Sequence, residues 1–152
     1  MTTRTLLASL PLVALMTAGC DSTTESNGGD VRIAIQQALT GQTTSAGTFA
    51  ISGALADSGQ TTEELTFGGP LTQSPVPLTF RRTLTGRNGT MVITGSATLS
   101  FTSPTEATLA GTWTVSSATG AYASGSGTLS GSASFGATPP TASITYAGVL
   151  RR

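Results

Sequence analysis

From Val31 towards the C-terminus, apolar side chains fall on every second position, the period of a strand with one face turned inward. The longest case runs from Met91 to Phe101. Met91, Ile93, Gly95, Ala97, Leu99 and Phe101 alternate there with Val92, Thr94, Ser96, Thr98 and Ser100. Leu109, Gly111, Trp113 and Val115 alternate in the same way with Ala110, Thr112 and Thr114. Carried along the chain, the pattern predicts eight strands at about 31–40, 47–56, 61–67, 76–86, 90–102, 106–116, 123–135 and 141–150. Turn-forming clusters separate them, among them Ala56-Asp57-Ser58-Gly59, Thr102-Ser103-Pro104-Thr105 and Gly136-Ala137-Thr138-Pro139-Pro140. Asn88-Gly89 stands between two alternating runs and predicts a type I′ hairpin, whose two central residues both take positive φ. The first segment, VRIAIQQAL, also reads as a short helix. The alternation of Val31, Ile33 and Ile35 and the polar pair Gln36-Gln37 favour a strand.

All connections but one are short, so consecutive strands are expected to pair antiparallel. The longer one, Gly68 to Pro75, is expected to cross one end of the sheet. Eight strands with one buried face could form a sandwich or a closed barrel. The barrel is favoured because closure leaves no unpaired edge and encloses either side chains or one small ligand. The prediction is therefore all-β: a single eight-stranded antiparallel up-and-down β-barrel over residues 31–152. Gly95–Ser100 (GSATLS) and Gly125–Ser130 (GSGTLS) are alike, but no period of fixed length continues through the chain, so the likeness reflects the demands of curved strands.

Composition agrees with that architecture and limits the chemistry. The chain has 19 Gly, many Ser and Thr, and only 5% aromatic and 9% charged residues. It contains no His and no Lys, which excludes an imidazole base, a His metal ligand and a lysine Schiff base. One Cys makes neither an intrachain disulfide nor a thiolate zinc site. No metal, cofactor or catalytic set is predicted.

The N-terminus reads as a targeting segment. Arg4 precedes a mostly apolar run from Thr5 to Ala18, interrupted by Pro11 and too short for a lasting membrane span. It ends in Thr17-Ala18-Gly19-Cys20, which resembles the lipobox of bacterial lipoproteins, where small residues precede a Cys that becomes the lipidated first mature residue. The lipobox usually carries an aliphatic residue three positions before the Cys, and this chain has Thr17. An ordinary secretory signal beside a free Cys is the other reading. Lipidation of Cys20 is preferred because a solitary thiol in an exported protein otherwise lacks a purpose. The expected organisation is a signal peptide at 1–19, a flexible polar tether at 20–30 and the barrel at 31–152. Cleavage leaves six Arg against seven acidic residues, so neither nucleic acid nor anionic lipid is an expected electrostatic partner. The expected location is the cell envelope, with membrane attachment through lipid on Cys20.

A family resemblance rests on two segments. Leu84–Val92 (LTGRNGTMV) is followed about thirty residues later by Gly111–Ser116 (GTWTVS) and Thr119–Ala123 (TGAYA). This resembles the bacterial relatives of the allene oxide cyclase and dirigent-like barrels, over roughly Phe49 to Leu150. Gly120-Ala121-Tyr122 fits the family's Gly-x-aromatic turn, whereas Ser124 stands where its second Gly is expected, with Gly125 one residue later. The resemblance implies an eight-stranded antiparallel barrel. It transfers no catalytic set, since the plant enzymes' acidic, amide and thiol positions have no match here.

Strand parity supplies the remaining candidates. Glu63 shares the face of Leu65 and Phe67, and Arg82 that of Leu78, Phe80 and Leu84. On neighbouring strands the two charges would point inward and need each other, because an unpaired buried charge costs several kcal/mol. Gln37, Asp57 and Tyr146 have apolar-face parity and could join them near a mouth, forming a polar cluster that orients a ligand. The plainer reading is a solvated pair near strand ends, as Glu64 and Arg81 would make on the opposite face. Trp113 and Tyr122 could stack on a ligand, though a lone Trp in an alternating strand is more often core. Arg151-Arg152 reads as a solubilising terminus. The preferred function is an envelope-anchored lipoprotein whose barrel has a non-enzymatic structural or binding role, with a small apolar molecule as candidate ligand. The alternative is an isomerase or cyclase resembling allene oxide cyclase. A cavity of about 300 Å³ or more would support a ligand or substrate, and a filled interior a structural role.

Overall fold

The computed structural model describes residues 28–152, which form eight strands and no helix. These are β1 (Gly28–Leu39), β2 (Thr44–Gly53), β3 (Asp57–Phe67), β4 (Val76–Gly86), β5 (Thr90–Phe101), β6 (Glu106–Ala118), β7 (Ser124–Ser134) and β8 (Thr141–Arg151). Each pairs antiparallel with the next, and β8 pairs back with β1, closing an up-and-down barrel. VRIAIQQAL is strand, with Val31, Ile33 and Ile35 buried between exposed neighbours.

Several strands begin earlier than the apolar pattern does. β1 starts at Gly28, so Gly28–Asp30, expected in the tether, instead pair with Arg151, Leu150 and Val149 of β8. β2 starts at Thr44 and β3 at Asp57 for the same reason. Ladder hydrogen bonds belong to the backbone and need no apolar side chain to form them. In β6 a register shift opposite Val92 and Ile93 leaves Ser116 as an extra residue, and its Oγ donates to the Val92 carbonyl at 3.2 Å. The bulge reverses parity, so Ala118 pairs with inward Met91.

The interior alternates large and small residues around the barrel. Phe80 on β4 faces Gly95 on β5, and a methyl group at Gly95 would approach the Phe80 ring to 2.7 Å. Trp113 follows on β6, opposite Gly127 on β7. The Phe80 ring thus lies over Gly95, and the Trp113 ring stands 3.3 Å from where a Cβ on Gly125 would lie, so both rings cover backbone without a side chain, as the taper of a small barrel demands. Tyr146 of β8 stands edge-on to both Phe80 and Trp113, with centroids 6.0 Å away in each case.

The two ends differ. At the end holding both strand termini, Leu55 of the β2–β3 loop and Tyr122 of the β6–β7 loop turn inward, 8% and 5% exposed. Asn88-Gly89 lies here, and it is not a type I′ turn. The last β4–β5 pair is Thr85 with Thr90, and among the described residues only glycines have positive φ, Gly89 at 139° included. The Asp57 carboxylate accepts the Arg87 and Asn88 N–H groups, each at 3.1 Å, while Asn88 Nδ2 donates to the Ala56 carbonyl at 3.0 Å. These contacts stretch the connection to four residues, Gly86–Gly89. The opposite end carries the loops after β1, β3, β5 and β7. There the Gly68–Pro75 connection is tied to β5, the Phe101 N–H donating to Ser74 Oγ at 3.0 Å.

Candidate functional site

Strands β3 and β4 place Glu63 directly opposite Arg82, both pointing into the barrel. Arg82 is 0% and Glu63 4% exposed, so the pair is buried mid-barrel rather than solvated at strand ends. Arg82 Nη2 donates to Glu63 Oε1 at 2.5 Å, the sole ion pair among the described residues. Glu64 and Arg81 lie opposite each other in register on the exposed outer face.

Each nitrogen of the guanidinium has a partner. Nε donates to the Tyr146 hydroxyl at 2.9 Å and Nη1 to Thr61 Oγ1 at 3.3 Å. The second carboxylate oxygen of Glu63 accepts from Ser45 Oγ at 3.0 Å and from Gln37 Nε2 at 2.8 Å. Such coverage is what allows two charges to remain in a desolvated interior. Burial pushes the Tyr146 phenol up to about 12, the nearby Glu63 carboxylate adding to a rise that the Arg82 charge and hydrogen bond partly offset. Tyr146 therefore stays a neutral phenol at ordinary pH and accepts from Arg82.

Between this network and the open end lies a cavity of about 60 Å³. Gln37, Glu63 and Tyr146 are at its polar side, and its walls are Leu65, Leu78, Phe80, Leu99, Leu129 and Ile144. Leu39, Phe67, Leu109 and Phe135 continue the lining to the rim, where they are half-buried. Phe101 pairs with Phe135 at the same rim, ring centroids 5.4 Å apart. The volume is well below the roughly 300 Å³ that would enclose a drug-sized ligand. Side chains fill most of the barrel, and an apolar cleft reaches from the mouth to the network.

The structure brings together Gln37, Glu63, Arg82 and Tyr146, sets Trp113 against Tyr146 but outside the cavity lining, and separates Asp57 from them. Asp57 begins β3, six residues before Glu63 and so about 20 Å away along an extended strand. At the plugged end it accepts hydrogen bonds from the Tyr122 hydroxyl and from the backbone N–H groups of Ser58, Arg87 and Asn88. Parity was right about its face and silent about its depth. Burial pulls the Asp57 carboxyl upward but is outweighed by the Tyr122, Asn88, Ser58 and Arg87 donors, which hold it below its usual value. Trp113 is 1% exposed and outside the cavity lining, its Nε1 donating to the Thr128 carbonyl at 3.1 Å. Tyr122 plugs the far end, where burial and then the Asp57 carboxylate raise its phenol well above the usual value.

Ser45 and Thr61 belong to the network although strand reading did not single them out. Both were accessible by parity: Ser45 continues Phe49 and Ile51 backwards along β2, and Thr61 precedes Glu63 by two residues. Cys20 and the signal segment lie outside the described residues. Comparison with known proteins gives no match to a family model, a curated protein sequence or a solved structure.

Proposed function

We propose that this protein is an envelope-anchored lipoprotein whose barrel has a non-enzymatic role, its interior filled as a structural role requires and its open end leaving a cleft for the end of a slender apolar molecule. The observation that carries the reading is the unequal treatment of the two ends. One is plugged by Leu55 and Tyr122, while the other leaves Leu39, Leu65, Phe67, Leu109 and Phe135 half-buried around a cleft. Apolar side chains left partly wet around a concavity gain free energy when a ligand covers them. The direction of the chain supports the anchoring half of the proposal. β1 begins at Gly28, at the plugged end, so a lipid anchor upstream of it would attach to that side of the barrel and leave the mouth free.

The cyclase or isomerase alternative receives less support. Glu63 would have to serve as its base, and both carboxylate oxygens are engaged by Arg82, Ser45 and Gln37.

Two measurements test the proposal. Cys20→Ser should move the protein from the membrane fraction to the soluble one, and unchanged fractionation removes the anchor. The soluble Cys20→Ser protein, purified from its own cells and sprayed under native conditions, should carry a small-molecule adduct that is lost on denaturation. A bare protein mass removes the resident ligand.

A further inference from the structure

The polar end of the cleft carries one group that the barrel itself leaves unsatisfied. Gln37 Nε2 donates to Glu63 Oε2 at 2.8 Å, and this contact fixes the amide's orientation, since an ionised carboxylate only accepts. The amide oxygen is then committed to the other side. Gln37 Oε1 is buried and, among the described residues, is the one buried side-chain polar atom that meets no hydrogen-bond partner. Gln37 also lines the cavity, with Oε1 turned away from open space, so a donor reaches it when the Gln37 side chain shifts towards the cleft. A buried acceptor without a donor carries an uncompensated desolvation cost, so a group that brings a donor relieves it on arrival.

The surroundings narrow the class of that group. The Glu63–Arg82 pair is internally neutral, and the remaining cavity wall is apolar apart from the uncharged hydroxyls of Tyr146 and Thr141. A cationic head would lose its hydration without gaining a free counter-ion. An anionic head would place acceptor against acceptor at Gln37 Oε1 and stand beside the Glu63 carboxylate. The 60 Å³ of inner space takes a small head and the first carbons of a chain but not a ring system, and the rest of the chain would lie against the Leu39, Phe67 and Phe135 rim.

From these features we infer that the site selects an unbranched aliphatic molecule ending in a neutral hydroxyl, whose O–H donates to Gln37 Oε1. This rests on the binding function proposed above and adds the chemistry of the head group.

The test uses three probes of similar length: 1-octanol, heptyl methyl ether, which has the same atoms but no donor, and octanoate. Binding to the soluble Cys20→Ser protein is followed by calorimetry and by the rise in melting temperature. Octanol should bind about ten-fold more tightly than the ether, the size of one hydrogen bond to an otherwise unpaired acceptor, and octanoate most weakly. Gln37→Leu should remove the preference for octanol while leaving ether binding within about three-fold, and a cooperative melting transition without probe, lowered by the lost donor to Glu63, shows that the variant folds. Equal binding of octanol and ether to the Gln37 protein overturns the hydroxyl assignment but keeps the apolar site. Tightest binding by octanoate overturns it too, in favour of an anion. If neither octanol nor ether binds, the binding function itself fails.

Discussion

The two ends of this barrel are built from the same kind of strand and closed by different means. At the end where β1 begins and β8 ends, loops donate side chains to the interior. Leu55 and Tyr122 fill it, and the Asp57 carboxylate ties the β4–β5 turn to the β6–β7 loop, where the Ala121 N–H also donates to the Asn88 carbonyl at 2.8 Å. Gly120, at φ 69°, makes this approach possible, since a side chain there would sit 2.1 Å from the Asn88 oxygen. At the opposite end, the described loops leave a rim of half-buried Phe and Leu. A fold seeking only stability would fill both ends alike. The difference is that one end is closed by packed side chains and the other leaves apolar side chains partly wet, which is what the proposed binding role rests on.

The largest expected effect lies between the two ends. Glu63→Gln leaves the Arg82 charge buried without its counter-ion and should destabilise the barrel by about 3–5 kcal/mol in urea unfolding. Glu64→Gln, one residue away on the wet face, should change stability by less than about 0.5 kcal/mol. Equal, near-zero effects would show that the interior network is not the desolvated partition between plug and mouth described here.

A second pair of substitutions compares the ends directly. Leu55→Ala removes a buried side chain from a packed plug and should cost about 2–3 kcal/mol. Phe67→Ala deletes a larger side chain, but one already half in water at the rim, and should cost about 1 kcal/mol. Side-chain size alone would reverse that order. If Phe67→Ala proves the more costly, the mouth is packed as tightly as the plug and the contrast collapses.

Much of this was legible in the sequence because strand parity is a strict code. Val31, Ile33 and Ile35 on β1, or Met91 to Phe101 on β5, declare which face is buried, and eight such runs with short connections leave few ways to close. The Glu63–Arg82 pair followed from the same parity and from the adjacency of their strands. What stayed hidden depends on depth and on backbone. Asp57 has inward parity, yet nothing in the sequence says how far along the barrel axis it sits. Gly28–Asp30 pair with β8 through backbone groups that leave no mark in a hydrophobic pattern. Asn88-Gly89 carries the composition of a type I′ turn, and the Asp57 carboxylate from another loop overrides it. The cavity is a residue of packing among eight strands, so its volume is fixed by many side chains jointly and by none alone.

The smallest effect tests whether the plug is an electrostatic lock as well as a packed one. The folded state holds the Asp57 carboxyl below its ordinary value of 3.8, so its contribution to stability is full above that pH and drains away as pH falls through the lower folded value. Because the site is partly wet, the contribution at neutral pH should be only about 1 kcal/mol. Asp57→Asn should accordingly be less stable than the parent by that amount from pH 7 down to about pH 5, and the two unfolding curves should converge below about pH 4. Urea titrations across that range measure the difference. A gap that persists unchanged into acid would mean that the charge on Asp57 contributes nothing, and that Leu55 and Tyr122 close this end by packing alone.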